Sequence, residues 1–191
     1  MPNAGLEGTV VNALLVRVGA DKSKDGGRWN GPVDVQSGRF AYVPIPEKRQ
    51  VNAGMEKPYS ALAPVLSTFG ISLPTHLLTQ HMHLDPDFDH LTYGDTRERA
   101  KQIRDYLHPG DLIVFYAGLF DIRPYTRLIY AIVGVFVVEK FRLAIDIPPT
   151  ERGINAHSRR VLQPDSQDLI VCAKVGVSGR LDVEPQQVVP G

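Results

Sequence analysis

His81, His83, Asp85, Asp87 and Asp89 occupy alternate positions of HMHLDPDFDHLTYGD, residues 81–95. Imidazole nitrogens and carboxylate oxygens ligate zinc, manganese and non-haem iron, and a carboxylate beside an imidazole also makes an acid–base pair. Read as extended backbone, the five share one face, while Met82, Leu84, Pro86 and Phe88 take the other. Pro86 favours that backbone at Asp85. Catalytic metals usually gather ligands from several elements, however, and aspartates in such a segment commonly cap their own turns. No metal site is therefore assigned and no cofactor is expected. His83, Asp85 and Asp87 stand as catalytic candidates.

The same carboxylates could read a nucleobase, because they accept hydrogen bonds from an exocyclic amine, while an Asn amide can pair with a Watson–Crick edge. A base outside its stack also needs aromatic faces. Trp29, the only tryptophan, lies with Asn30 in the Gly-rich polar stretch DKSKDGGRWNGPVD, where there is little core for it to join. Tyr93 and Tyr116 are further stacking candidates. Tyr116 shares a strand face with Leu112 and Val114 and should be half-buried, whereas Phe88 belongs to the apolar side of its segment and to the core. GINAHSRR contributes Asn155, His157, Arg159 and Arg160, of which His157 and Arg160 could hold a phosphate. The candidate nucleotide-binding set is thus Trp29, Asn30, His83, Asp85, Asp87, Tyr93, Asp95, Tyr116, Asn155, His157 and Arg160. Ser158 and Ser178 lack the nucleophile-elbow spacing, and Gly26, Gly27 and Gly31 form no phosphate loop.

Several elements must position these groups. Residues 9–18 read as a first strand. Residues 39–45, RFAYVPI, alternate Phe40, Tyr42 and Pro44 against Ala41, Val43 and Ile45, with prolines placing them at a sheet edge. SALAPVLSTFG and THLLTQHM contain short helical turns. The spacing predicts a helix over 95–107, capped by Asp95 with Glu98 three residues on, closed by Pro109-Gly110, and buried along Ala100, Ile103 and Leu107. Arg97, Lys101 and Arg104 form its solvated face. Strands are expected at 111–117, 128–138 and 168–174. Together they make an α+β domain on a mixed or barrel-like sheet, spanning residues 1–183, with 184–191 as a loose tail.

Composition narrows the function classes. Lys and Arg number 21 and Asp and Glu 21, a formal net charge of zero, which does not provide for broad wrapping of a duplex. The single cysteine, Cys172, sits in the apolar run LIVCAK and is read as core. One cysteine can form neither an intrachain disulfide nor a thiolate metal cluster, which suits a reducing cytoplasm. No apolar run reaches the ~20 residues that span a bilayer, and a cytoplasmic location is expected.

LHPGDLIVFYAGL followed by LIYAIVGVFVVEKF resembles the strand pattern of PUA-like domains, including the EVE type. Four blocks in order, GGRWNGPVDVQSGRFAYVPIPE, HLDPDFDHLTYGD, LHPGDLIVFYAGL and NAHSRRVLQPDSQDLIVCAKVGVSGRL, resemble the third of the nucleotide-modification-associated domain families. The resemblance implies a role in prokaryotic or phage systems that modify DNA nucleotides, including phage defence, and brings no established reaction. By similarity it marks Asn30, Gly31, Pro32, His83, Asp85, Pro86, Phe88, Tyr93, Gly94, Asp95, Gly110, Asp111, Tyr116, Gly118, Asn155 and His157. Two positions depart: Asp87 stands where a longer Glu is usual, and SGRLDVE lacks a basic ending. The expected partner is DNA or a nucleotide carrying a modified base, with a protein of the modification system as another. Recognition of that base leads, and a His/Asp acid–base or metal enzyme is the alternative. Both require the acidic-imidazole segment and the Trp29 loop to meet over one cavity.

Overall fold

The structure is a computed structural model that describes residues 11–21, 29–123 and 127–181. Its strands are β1 (Ala13–Arg17), β2 (Pro32–Val33), β3 (Ile45–Pro46), β4 (Met82–His83), β5 (Thr92–Asp95), β6 (Leu112–Asp121), β7 (Leu128–Leu143), β8 (Leu169–Ala173) and β9 (Gly179–Arg180). The α-helices are α1 (Ala63–Ser67), α2 (Arg97–Tyr106) and α3 (Ala156–Arg159).

A seven-stranded sheet runs β1-β6-β7-β8-β5, with β2 also on β6 and β9 also on β7. β1 and β2 lie parallel to β6 and every other pairing is antiparallel. β6 and β7 form the spine because both are long runs of β-branched and aromatic residues, which fit a pleated surface. Alternate residues of β6, Ile113, Phe115, Ala117 and Leu119, point into the main core. β7 continues past β6 and pairs through its last third with β8, which in turn carries β5. The α+β class is as expected. The sheet, however, is mostly antiparallel, and among the described residues it does not close: β1 and β5 end the path without pairing. The barrel-like part of the expectation is corrected accordingly.

The main core gathers Val16, Phe40, Tyr42, Tyr93, Ile113, Phe115, Val133 and Phe136 under α2. Phe88 packs against it, its ring edge-to-face with Tyr42, Phe115 and Phe136, as the sequence predicts. That ring lies where a side chain on Gly134 would be: a Cβ there would fall 2.3 Å from Phe88 Cε1. A second core, Ala41, Val43, Tyr59, Leu66, Leu77 and Met82, supports the 41–82 arm. The alternation across 39–45 is therefore real, but both faces are buried. Phe40 and Tyr42 enter one core and Ala41 and Val43 the other, and only Ile45–Pro46 is assigned as strand there.

The helix over 95–107 is present as α2 with Ala100, Ile103 and Leu107 buried. Its start is corrected by two residues. Asp95 belongs to β5, and Thr96 is the N-cap, without a side-chain capping bond. Pairing of β5 with β8 takes Asp95 into the sheet, Asp95 opposite Leu169. α1 starts at Ala63 with Pro64 in its first turn, where the missing N–H costs no helical bond. Cys172 is only half-buried, on the rim of a third cluster around Ala144, Ile147 and Ile170. The expected tail, residues 184–191, lies outside the described residues.

Candidate functional site

Antiparallel pairing of β3 with β4 sets Ile45 opposite His83, which carries Glu47 alongside the imidazole. Glu47 Oε2 lies 2.7 Å from His83 Nδ1. The chain then turns through Asp85, whose Oδ1 accepts from Gly94 N at 2.8 Å and from Asn155 Nδ2 at 3.0 Å. Asn155 is the N-cap of α3, its Oδ1 accepting from His157 N at 2.8 Å. One amide side chain therefore starts the helix and braces Asp85. His157, on α3, has its Nδ1 2.8 Å from Asp168 Oδ2, at the entry to β8. Arg160 lies between the two carboxylates, donating to Glu47 at 3.1–3.2 Å and approaching Asp168 at 3.6 Å.

The tautomers follow from these contacts. An imidazole nitrogen so close to a carboxylate oxygen needs a proton between them, so Nδ1 of each ring donates and Nε2 keeps its lone pair. Both Nε2 atoms face Asp85 Oδ2, at 3.9 Å from His83 and 3.7 Å from His157. The rings themselves are 5.1 Å apart at 65°. His83 Nε2, Asp85 Oδ2 and His157 Nε2 all fall within 4.8 Å of one another, a set that could hold a metal ion.

Electrostatics keep this arrangement charged on the outside and neutral at the imidazole. Burial alone would raise the Glu47 carboxyl, but hydrogen bonds from His83 and Arg160 outweigh it and hold it at about 2. Asp168 is likewise held at about 2, against its burial, chiefly by the hydrogen bond from His157. Burial drives His83 down to about 4 despite the Glu47 hydrogen bond. Burial pushes Asp85 well above the usual carboxylate range, against its bonds from Gly94 and Asn155. Perturbed ionisable groups gathered in a cleft are a mark of functional sites.

These groups line a cavity of about 330 Å³, together with Arg17, Val18, Gly19, Ile45, Arg49, Tyr93, Gly94, Asp95 and Thr96. Tyr93 donates its hydroxyl to Asp95 Oδ2. Gly94 is required by space: a Cβ there would come within 2.4 Å of His157 Cδ2 and 2.6 Å of Asn155 Oδ1. Arg17 and Arg49 are about half exposed at the rim.

Of the residues singled out from sequence, His83, Asp85, Tyr93, Asp95, His157 and Arg160 line this cavity, and Asn155 backs it. The rest lie elsewhere. Trp29 packs against the second core and neither it nor Asn30 lines the cavity, so the expected meeting of these two residues with the acidic-imidazole segment is corrected: Glu47, α3 and Asp168 meet that segment instead. Asn30 is buried with its amide on Gly118 O at 2.7 Å. Tyr116 is on the outer sheet face, its ring 6.4 Å from that of Tyr130. Asp87 is buried in an ion pair with Arg159 and accepts from His90 N and Nδ1 at 3.1 and 3.0 Å. The expected five-residue face of the 81–89 segment is therefore corrected: His81 and Asp89 are exposed, Asp87 faces Arg159, and only His83 and Asp85 reach the cavity. The extended backbone that would align all five is limited to Met82–His83. Sequence reasoning missed Glu47, Asp168 and Arg49. The first two sit inside the family-like blocks at strand ends, PIPE and QDLIV, a position that could have singled them out.

The family model for nucleotide modification associated domain 3 matches residues 12–189. The chain belongs to that family. No curated protein and no solved structure matches it. The match spans nearly the whole chain, including every residue lining the cavity, and fits a role in a nucleotide-modification system. Among the described residues no helix is long and apolar enough to cross a membrane.

Proposed function

We propose that this member of the nucleotide modification associated domain 3 family is an enzyme that acts on a single base or nucleotide, with His83, Asp85 and His157 as its reacting centre. The observation that carries this is the pair of imidazoles, each held at Nδ1 by a buried carboxylate and each aiming Nε2 at the same Asp85 oxygen on the cavity wall. Such groups are costly to bury and are what proton transfer or metal chemistry needs. A pure base reader would place aromatic faces in the cavity. Among the described residues Tyr93 is the one aromatic ring of Phe, Tyr or Trp that lines it, with its hydroxyl tied to Asp95, while Trp29 and Tyr116 stand outside.

The cavity is at the small end of ligand pockets, which run to ~300–1,000 Å³. It suits one nucleotide or one base removed from its stack rather than a duplex. Arg17 and Arg49 at the rim would meet a phosphate. The test is mass analysis of nucleosides recovered after incubating the protein, in a bacterial lysate supplying small co-reactants, with mononucleotides and with plain or modified-cytosine DNA. A change in base or nucleotide mass that is lost in Asp85→Asn is expected. Saturable binding with no mass change would return the domain to base recognition, and neither binding nor change would overturn the nucleotide reading.

A further inference from the structure

We propose that His83 Nε2, Asp85 Oδ2 and His157 Nε2 bind one divalent first-row transition metal ion. This deepens the enzymatic reading above and rests on it for any catalytic meaning, but the binding itself is argued from the donor set alone. His83 and Asp85 come from β4 and the chain just beyond it and His157 from α3, so two distant stretches of the chain supply the ligands, as catalytic metal sites usually require.

Each atom is an acceptor without a donor among the described residues. With both Nδ1–H groups given to Glu47 and Asp168, the Nε2 atoms carry only lone pairs. Asp85 spends Oδ1 on Gly94 and Asn155, and among the described residues its Oδ2 has no hydrogen bond, only the two imidazoles at 3.7 and 3.9 Å. Three lone pairs converging on one point are mutually unfavourable unless something positive stands between them. A zinc-like ion bonded at ~2.0–2.1 Å places tetrahedral ligand atoms about 3.4 Å apart, so these two separations need close by only about half an ångström.

The surroundings match. A metal-bound imidazole nearly always gives its other N–H to a carboxylate or carbonyl, which fixes the ring and strengthens the ligand. Here both rings do so, to separate carboxylates that Arg160 ties together. Two carboxylates, Glu47 and Asp168, flank one buried guanidinium, Arg160, so the groups that hold the two imidazoles carry net negative charge. Two imidazoles and one carboxylate leave coordination positions open, as in hydrolytic zinc sites and non-haem iron sites. Those positions face the cavity that would hold the nucleotide.

The test uses untagged full-length protein, stripped with chelator, reloaded separately with zinc, manganese, cobalt and (anaerobically) ferrous iron, desalted and measured by elemental analysis. One equivalent of at least one ion is expected, with cobalt giving visible ligand-field bands. His83→Gln and His157→Gln should lose the ion, while His76→Ala, at an exposed histidine outside the cluster, keeps it. Glu47→Gln leaves all three ligands in place, so it reports even if the ligand variants misfold. It should weaken binding by roughly 10–100-fold. Substoichiometric metal for every ion in the wild type, or unchanged affinity in Glu47→Gln together with unchanged metal in folded His83→Gln, overturns the site. Nucleotide turnover by stripped protein in chelator would remove the metal while leaving the enzymatic reading intact, whereas tight metal without turnover would support the site and remove that reading.

Discussion

Asp87 and Arg159 form a buried ion pair whose disruption should be strongly asymmetric. Both residues are almost fully buried, at 1% and 2% exposure. Asp87 has a second source of support, since its Oδ1 accepts from His90 N and Nδ1. Arg159 has less: Nε donates to Gly153 O at 3.0 Å, Nη2 to Asp87, and Nη1 has no hydrogen-bond partner among the described residues. Asp87→Asn therefore strands a guanidinium charge in the interior, and breaking a buried pair in this way costs about 3–5 kcal/mol. For a domain of this size that is a loss of roughly 6–20 °C in melting temperature. Arg159→Met removes both the charge and the orphaned nitrogen and leaves Asp87 its His90 bonds, so about 1–3 kcal/mol is expected, the cost of an imperfectly satisfied polar group. In the double variant neither charge remains, and its loss should fall about 2 kcal/mol short of the sum of the singles. Urea denaturation of the four proteins measures the cycle. Additive losses, or a cost below about 1 kcal/mol for Asp87→Asn, would refute the reasoning by showing that the guanidinium reaches water.

Three further outcomes follow from close contacts. Gly94→Ala should keep the fold by circular dichroism but displace the His157 ring or the Asn155 brace, weakening ligand binding at the cavity at least about tenfold, the equivalent of ~1.4 kcal/mol; wild-type affinity by calorimetry would contradict this. Gly134→Ala drives a methyl group into the Phe88 ring and should cost about 1–3 kcal/mol in chemical denaturation, with Phe88→Leu in the same chain restoring part of it. Asp111 is held below its ordinary carboxyl value of 3.8 by the Asn12 backbone N–H first and the His108 backbone N–H next. A depressed native value stabilises the fold above the unfolded value and loses that contribution as pH falls through the native one. The NMR titration of Asp111 should therefore have its midpoint under 3.8, and Asp111→Asn should flatten the acid side of the stability profile.

Much of the scaffold was legible because local periodicity records which face is buried. The alternation across β6, the apolar stripe Ala100, Ile103 and Leu107, and the packing of Phe88 all follow from it. The same rule misled where a segment is buried on both sides, as at 40–43, and where a polar alternation had only two residues of strand to support it, as at 81–89. The Gly-rich setting of Trp29 read as a ligand loop because nothing local reveals the second core on which the indole rests.

The chain by itself determined the chemical inventory: the histidines and carboxylates of 81–95, the NAH turn at 155–157, and blocks that resemble one family. Only the tertiary structure decided which of them meet. Glu47 reaches His83 across 36 positions and Arg160 across 113, while Asp87, two residues from Asp85, is turned away to Arg159. Side-chain spacing fixes direction from a strand or helix, but the partner of a buried charge is set by whichever distant element packs against it, and that is a property of the folded chain alone.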